Sequence, residues 1–202
     1  MASGGIAADA LSAVDLFRGL PFDERGLIAK KLSAARYTAG QKIVTQADQH
    51  QDVFFILSGT VRVSFSVRSG KAVQFRDQFA GEMFGELSAM DGRPRSAAVD
   101  AVDDVFVARA TADAFLDIAT HHPAVAQRLF IGLATRIRSL SDRVVEFSTL
   151  GVGNRIHGEL LRLAREHSNG GNNALIKPAP THADIAARVS THREAVTREL
   201  AA

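Results

Sequence analysis

A short glycine-bearing segment, residues 81–99, carries the side chains best suited to holding an anion. Its sequence is GEMFGELSAMDGRPRSAAV. Arg95 offers a two-pronged guanidinium and Ser96 an adjacent hydroxyl, both donors to a phosphate, while the carboxylate of Glu86 accepts hydrogen bonds from ribose hydroxyls. The glycines allow close backbone approach, and a helix turn starting near Leu87 adds free amides. Together these groups suit a sugar phosphate, whereas an arginine near a glutamate is by itself most often a salt bridge.

A second group of side chains shares one face near the end of the chain. The residues expected to point outward are Arg193, Glu194, Thr197 and Arg198, and those expected to pack inward are Ala195, Val196 and Leu200. Thr191 and Glu194 match S/T-x-x-E, which predicts a capping box at the start of this helix. Such a face suits a major groove, because arginine pairs with guanine edges and glutamate accepts from cytosine N4. Thr191 is counted with these four side chains as a DNA-binding candidate. The alternative is a solvated face on which Glu194 and Arg198 form an ion pair.

The composition removes several function classes. The 202 residues include no cysteine, which excludes iron–sulfur clusters, thiolate zinc sites, a thiol nucleophile and disulfides. The absence of a signal peptide or a long apolar stretch predicts a soluble cytoplasmic protein. No Ser-His-Asp ordering, metal-ligand spacing or P-loop favours an enzyme. The small net charge of +2 arises after residue 150 and carries little weight alone.

The elements that must position these groups change in type along the chain. Two amphipathic stretches, Leu11–Leu20 and Asp23–Leu32, predict short helices. Five β-branched and aromatic runs separated by glycine turns follow, and they predict an antiparallel sandwich or barrel. These runs are Lys42–Thr45, Val53–Leu57, Thr60–Val67, Ala72–Phe79 and Val105–Ala108.

A long helix is predicted over Pro123–Phe147. Its apolar stripe has the alternating spacing of a coiled-coil seam and consists of Ala126, Phe130, Leu133, Ile137, Leu140, Val144 and Phe147. The charged residues beside the stripe are Arg136, Arg138, Asp142, Arg143 and Glu146, and they favour a second copy of this helix as the partner. Packing of the stripe onto its own β-rich domain is the alternative.

Glycines and prolines divide the rest of the chain. Gly151 and Gly153 predict a hinge, after which Asn154–Glu166 forms a helix with Ile156, Leu160, Leu161 and Leu163 as its apolar set. The polar run SNGGNN and the prolines at 178 and 180 end it. Two short helices follow, the first over Asp184–Val189 and the second after Ser190, so the C-terminal region is rich in helices.

The 81–99 segment as a whole resembles the phosphate-binding cassette of cyclic-nucleotide-binding domains, F-G-E-L followed by R-S-A. The resemblance implies that Glu86 binds the ribose 2′-hydroxyl and that Arg95 and Ser96 bind the cyclic phosphate. The backbone around Gly85, Leu87 and Ala97 would complete the cradle. Cyclic AMP is the first expected ligand.

The order of these elements resembles the cyclic AMP receptor protein and Fnr family of bacterial transcription regulators. It implies an α+β fold, with a β-roll sensor over residues 1–122, a dimerisation helix and hinge over 123–150, and a DNA-binding helix-turn-helix over 151–202. It further implies a homodimer, control of double-stranded DNA binding by the nucleotide through a population shift, and RNA polymerase as a partner. The rival hypothesis is a nucleotide-binding module that acts through a protein partner without DNA binding.

Departures from the family pattern set further expectations. Val189-Ser190-Thr191 stands where relatives have a glycine in the turn, and the chain stops at Ala202, where relatives continue into a wing. We therefore expect an incomplete DNA-binding domain with weak affinity. Leu140 and Ser141 stand where polar residues reach the base; Ser141 is the expected base contact, and cyclic GMP or another ligand stays open. The missing cysteines exclude the iron–sulfur sensors of the family, while His50, His121 and His122 leave haem ligation open.

Overall fold

Antiparallel strands dominate the first half of the chain. The computed structural model describes residues 5–66, 72–168, 173–177 and 179–201. Its strands are β1 Ser33–Tyr37, β2 Lys42–Val44, β3 Val53–Ser58, β4 Thr60–Ser66, β5 Ala72–Phe79, β6 Met83–Phe84, β7 Ala98–Ala101 and β8 Val105–Ala110. Within the described residues they form a pair of four-stranded sheets with the orders β1-β8-β3-β6 and β2-β7-β4-β5. The predicted α+β architecture, a β-roll followed by helices, is confirmed.

All five predicted strand runs correspond to strands, namely β2, β3, β4, β5 and β8. Val67, the predicted end of β4, lies outside the described residues. The sequence pattern missed β1, β6 and β7. Alanines fill much of β1 and β7 and carry no β-strand signal, and β6 has only two residues.

The first predicted helix is wrong in type. Residues 10–17 form two 3₁₀ turns, Ala10–Ala13 and Asp15–Phe17, instead of an α-helix. Leu11, Val14 and Phe17 are fully buried, and their spacing of three matches the three residues per turn of a 3₁₀ helix. The second predicted helix is α1, Phe22–Ala29.

Two helices lead from the sheets to the second half of the chain. The first, α3, spans Ala112–His121 and begins at Thr111, whose hydroxyl accepts a hydrogen bond from the Ala114 amide at 3.2 Å. The long helix α4, Pro123–Thr149, extends two residues beyond the predicted end. A short helix, α2, Glu86–Asp91, precedes both in the chain. Nowhere in the described ranges does a helix have the length and apolar content of a membrane span.

The apolar stripe of α4 has two environments. Leu133 packs partly against the core of its own β-domain, together with the buried Leu129. Phe130, Ile137 and Val144 are instead 67%, 64% and 65% exposed in the single chain. The stripe therefore packs on its own domain at one point and presents these three side chains outward.

The C-terminal unit consists of α5 Val152–Glu166, α6 His182–Arg188 and α7 Arg193–Leu200. Its buried core is Ile156, Ile185, Ala186, Val189 and Val196. The inward position predicted for Leu200 is wrong, because its side chain is exposed. Leu161, one of the apolar set predicted for α5, is also 59% exposed. The prolines and the SNGGNN run fall largely outside the described residues.

The two glycines of the predicted hinge have different environments. Gly151 caps α5 with φ of −63°, a conformation open to any residue. Gly153 lies inside α5, and a Cβ atom there would be 2.7 Å from Oε1 of Glu199 on α7. The second glycine therefore permits a close crossing of α5 and α7 and is not required by the turn.

The capping box predicted at Thr191 is wrong. Helix α7 begins after His192, which makes no side-chain capping bond. The box instead starts α6: the Thr181 hydroxyl accepts from the Asp184 amide at 3.1 Å, and the Thr181 amide donates to Oδ2 of Asp184 at 3.0 Å. Thr191 belongs to the turn, where its amide donates to the Ala186 carbonyl at 2.9 Å. Ser190 adopts φ of +52° and so takes the left-handed position that a glycine would fill.

Candidate functional site

A cavity of about 200 Å³ lies between the second sheet, the start of α2 and the side of α4. Six of the seven residues predicted to bind the ligand line it: Gly85, Glu86, Leu87, Arg95, Ser96 and Ala97. Apolar side chains from β4, β7 and α4 also line the cavity, namely Val63, Phe65, Val99 and Leu140. The part at Arg95 and Glu86 is called the charged end, and the part at Leu140 is called the apolar end.

Gly85 sets the geometry of the charged end. It adopts φ of +88°, a left-handed conformation, and is the residue from which α2 begins. A Cβ atom at this position would be 2.6 Å from Nη1 of Arg95 and 2.6 Å from the Asp52 carbonyl oxygen. The backbone here therefore requires a glycine, because any side chain would displace the guanidinium.

Arg95 is only 5% exposed and is held by neutral groups. Its Nη1 donates to the Gly85 carbonyl at 2.9 Å and to the Ser88 hydroxyl at 3.0 Å, and its Nη2 donates to the Asp52 carbonyl at 2.6 Å. Within the described residues no carboxylate oxygen lies within 4 Å of this guanidinium. Burial lowers the pKa of Arg95 from its ordinary value, against the opposing charges of Asp52, Asp48 and Glu86. A buried cation whose hydrogen-bond partners are all neutral favours an anionic ligand.

Glu86 is the acidic group of the cavity and is almost fully buried. Its Oε1 accepts a short hydrogen bond from Nη1 of Arg136, which comes from α4, fifty residues along the chain. Sequence reasoning placed Arg136 only among the charges that flank the apolar stripe. The available signal was its position one helical turn before Leu140, which the family resemblance places near the base.

The remaining cassette residues differ in exposure. Ser96 and Leu87 are exposed at the cavity, while Ala97 is buried. Ser88, which accepts a hydrogen bond from Arg95, was missed by sequence reasoning although it lies inside the same segment. The cassette therefore presents its hydroxyl and leucine to solvent and keeps its two charges covered.

Ser141 is the predicted ligand-binding residue that this chain does not bring to the cavity. Its hydroxyl donates to the Ile137 carbonyl of its own helix at 3.0 Å. Leu140, the neighbouring residue, lines the cavity instead and presents an apolar surface. The contact predicted for Ser141 was to a base held by a partner subunit, and it stays a prediction.

Four of the five predicted DNA-binding side chains lie together on α7, and Thr191 lies in the turn before it. Arg193, Glu194, Thr197 and Arg198 are all exposed. Thr197 is held by Nδ1 of His182 at 2.8 Å, and Nε of Arg193 lies 3.6 Å from Oε1 of Glu194. The ion pair on this face is thus between neighbours, whereas the solvated-face alternative expected Glu194 with Arg198.

The histidines considered for haem are spread over the β-domain. His121 and His122 lie at the junction of α3 and α4, where Nδ1 of His121 is 2.9 Å from the Asp117 carbonyl. His50 precedes β3. Among the residues that the structure describes, no group of three or more potential ligands is placed to hold a metal ion.

Comparison with known proteins gives matches along nearly the whole chain. The family described as cyclic nucleotide-binding domain matches residues 34–122. The chain is 31% identical to the cyclic AMP receptor protein of Thermus thermophilus over 185 residues, which cover 92% of this chain and 83% of that protein. It is 24% identical to the CRP-like cAMP-activated global transcriptional regulator of Mycobacterium tuberculosis over 192 residues, which cover 95% of this chain and 86% of the relative. The crystal structure of the Thermus thermophilus catabolite activator protein superposes with a TM-score of 0.62 at 30% identity, covering 93% of this chain and 85% of that one.

Proposed function

Because the chain belongs to the Crp/Fnr family of transcription regulators, we propose that it binds cyclic AMP at Arg95 and Glu86 and DNA through α7. The relatives that it matches along nearly its full length are regulators, so the chain is a regulator and not an enzyme. A cyclic nucleotide is the ligand class that its domain indicates.

The observation that carries the proposal is the buried guanidinium of Arg95. Its three hydrogen bonds go to carbonyls and a hydroxyl, so its charge has no carboxylate within reach among the described residues. A cyclic phosphate brings one negative charge, and Ser96 stands beside it as a second donor. A ligand there satisfies a charge that is already desolvated, and little further desolvation is required.

The ribose is assigned to Glu86. Its carboxylate is buried and has two oxygens, of which Oε1 accepts from Arg136. A 2′-hydroxyl donates to the other oxygen, so the nucleotide and Arg136 share one acceptor group. A ligand bound at Glu86 therefore lies next to the contact between Glu86 and Arg136 of α4.

The base is assigned to the apolar end of the cavity, near Leu140. A leucine packs against a purine but does not distinguish its edge groups. Ser141 of a second copy supplies the polar contact in this proposal. We therefore expect the affinity for cyclic AMP to exceed the affinity for cyclic GMP by only a small factor.

The outward side chains of the α4 stripe support a homodimer. Phe130, Ile137 and Val144 repeat at intervals of seven on one side of the helix and stay more than 60% exposed in the single chain. Two such stripes bury each other as the a or d layers of a coiled coil. This arrangement also brings the partner's α4 beside each cavity.

The α6 and α7 pair is assigned to double-stranded DNA. The two helices share a buried core, and the second presents two arginines, a glutamate and a threonine on one exposed face. In a dimer, two such faces about 34 Å apart read successive major grooves. A regulator of this kind works in the bacterial cytoplasm and has RNA polymerase as its further partner.

Isothermal titration calorimetry with cyclic AMP and cyclic GMP tests the proposal. We expect the parent chain to bind cyclic AMP and Arg95→Leu to lose at least about 100-fold in affinity, because the charge-assisted phosphate contact is removed. Arg93→Leu is the matched control: Arg93 lies two residues away and its side chain is exposed. Circular dichroism confirms folding, and Ser96→Ala, at an exposed position, gives a second and milder variant.

Two results would contradict the proposal. One is a parent chain that takes up neither nucleotide; the other is an Arg95→Leu variant that binds as the parent does. Nucleotide binding without any salt-dependent affinity for duplex DNA would favour the rival, a module that acts through a protein partner.

A further inference from the structure

Ion pairs attach the C-terminal unit to the sensor of the same chain. Helix α6 packs against β5. Arg188, the last residue of α6, places Nη2 at 3.0 Å from Oδ2 of Asp77 on β5 and Nη1 at 3.4 Å from Oε1 of Glu159 on α5. Both Arg188 and Glu159 are more than nine-tenths buried. One guanidinium therefore ties the sensor sheet to two helices of the C-terminal unit.

A second pair crosses the same boundary. Nη1 of Arg62, on β4, lies 3.7 Å from Oδ1 of Asp184 in the first turn of α6. Burial alone would raise the pKa of Asp184, but hydrogen bonds from Thr181 and the charges of Arg62 and Arg188 hold it below its ordinary value. Asp184 is thus ionised at neutral pH, and the pair is a charged one.

Helix α4 connects these pairs to the ligand cavity. Arg136 contacts Glu86 in the cavity, and Arg143, seven residues later on the same face, donates through Nη2 to the Arg188 carbonyl at 2.7 Å. Nη2 of Arg143 also lies 3.8 Å from Oε2 of Glu159. One continuous helix thus carries both arginines and connects Glu86 to Arg188.

The space around these side chains permits such a displacement. A second cavity, of about 440 Å³, is lined by Arg136, Arg143, Glu159 and Arg188. Side chains beside an open volume change rotamer without repacking a dense core. The two arginines of α4 therefore have room to move between the ligand site and the domain boundary.

We propose that Asp77, Arg188 and Glu159 form an ionic lock that holds the C-terminal unit against its own sensor in an arrangement of low DNA affinity. Ligand binding at Glu86 releases the lock through Arg136 and Arg143. The inference rests on the proposed function for the identity of ligand and DNA.

The low affinity follows from how a helix-turn-helix docks. Its first helix crosses the phosphate backbone while the second enters the groove. Here the first turn of α6 instead lies against β4, with Asp184 beside Arg62. In the locked arrangement the sensor thus covers part of the helix that has to cross a phosphate backbone.

A distance measurement within one chain tests the lock without DNA. The chain has no cysteine, so Ser58→Cys on the sensor and Leu161→Cys on α5, both exposed, accept spin labels selectively. Labelled protein is diluted into excess unlabelled protein so that each measured pair lies in one chain. Double electron–electron resonance then gives the distance distribution in Asp77→Asn, Arg188→Gln and the matched control Asp100→Asn, whose aspartate pairs only with Lys42 among the described ion pairs.

We expect a narrow distribution for the parent and for Asp100→Asn, and a shifted or broadened one for Asp77→Asn and Arg188→Gln. The two lock variants act from opposite sides, so either one that folds decides the question. Lock variants that keep the parent distribution would overturn the lock. Fluorescence anisotropy on a 40-base-pair mixed-sequence duplex should show about tenfold tighter binding by Asp77→Asn than by the parent, and equal affinity would overturn the inhibitory role.

Cyclic AMP separates this inference from the proposed function. Added to the parent, it should shift the distances towards those of Asp77→Asn. A parent that binds cyclic AMP by calorimetry but keeps its distances would overturn the coupling through α4. A parent that does not bind it contradicts the proposed function, while the comparison of variants still decides whether the lock exists.

Discussion

Arg95 in the cavity and Arg188 at the domain boundary are buried to nearly the same degree, with exposures of 5% and 7%. In both side chains Nε lacks a hydrogen-bond partner among the described residues, so this atom does not distinguish them. The partners of their Nη1 and Nη2 atoms distinguish them. Arg95 meets two carbonyls and a hydroxyl, whereas Arg188 meets the carboxylates of Asp77 and Glu159.

The difference separates a binding charge from a structural one. An arginine whose hydrogen-bond partners are neutral is still able to bind an external anion, while an arginine that contacts two carboxylates has its charge already compensated. Burial alone therefore does not identify a ligand site. The counter-charge around the buried group does.

The largest expected effect is on stability and distinguishes the two arginines directly. Arg188→Leu removes a buried guanidinium that pairs with both Asp77 and Glu159. Because Glu159 keeps its pairs with Arg143 and Arg162, the loss should be about 3 kcal/mol of unfolding free energy, the lower end for breaking a buried ion pair. Arg95→Leu leaves carbonyls without a donor and should cost about 1 to 3 kcal/mol. Urea denaturation at one fixed protein concentration measures both, with Arg93→Leu as the exposed control. Equal losses for the two variants would remove the distinction.

A smaller effect concerns one hydroxyl from each region. Thr181→Ala removes the cap of α6 and should cost about 1 kcal/mol of stability without changing nucleotide affinity. Ser96→Ala, at an exposed position, should leave stability within about 0.5 kcal/mol but weaken cyclic AMP binding several-fold. Thermal unfolding and calorimetry on both variants check this. If Thr181→Ala weakened cyclic AMP binding and Ser96→Ala did not, the assignment of Ser96 to the ligand would be wrong.

The smallest effect concerns the base. Leu140→Thr adds a hydroxyl to the apolar end of the cavity. The ratio of cyclic AMP affinity to cyclic GMP affinity should change by about two- to tenfold, because one hydrogen bond contributes about 0.5 to 1.5 kcal/mol. Val145→Thr, at an exposed position on the same helix, is the matched control. An unchanged ratio in Leu140→Thr would place the base elsewhere.

The sequence could predict the cavity because its main residues are neighbours in the chain. Gly85, Glu86, Arg95 and Ser96 lie within twelve residues, and a strand and a short helix fix them relative to one another. Arg136 reaches the same cavity from α4, and its contact with Glu86 depends on the packing of α4 against the sheet. No local pattern encodes a contact of that kind.

Other differences have local physical causes. In a capping box the amide of the first residue of S/T-x-x-E donates to the glutamate side chain. The amide of Thr191 instead donates to the Ala186 carbonyl in the preceding turn, so the box does not form. Leu11, Val14 and Phe17 are spaced three residues apart, a spacing that occurs in both an amphipathic α-helix and a 3₁₀ helix. Asp77 and Arg188, which pair at the domain boundary, are more than one hundred positions apart in the chain. Because aspartate and arginine are common residue types, a single sequence does not show which of them pair.

The most direct test of the central claim observes the two guanidinium groups themselves. Nitrogen-15 correlation spectra of the Arg Nε–Hε groups, assigned by Arg95→Lys and Arg188→Lys, are recorded during titration with cyclic AMP. We predict that the Arg95 resonance shifts with the saturation curve seen by calorimetry, because its guanidinium binds the phosphate. An Arg95 resonance that stays in place while cyclic AMP binds would contradict the account.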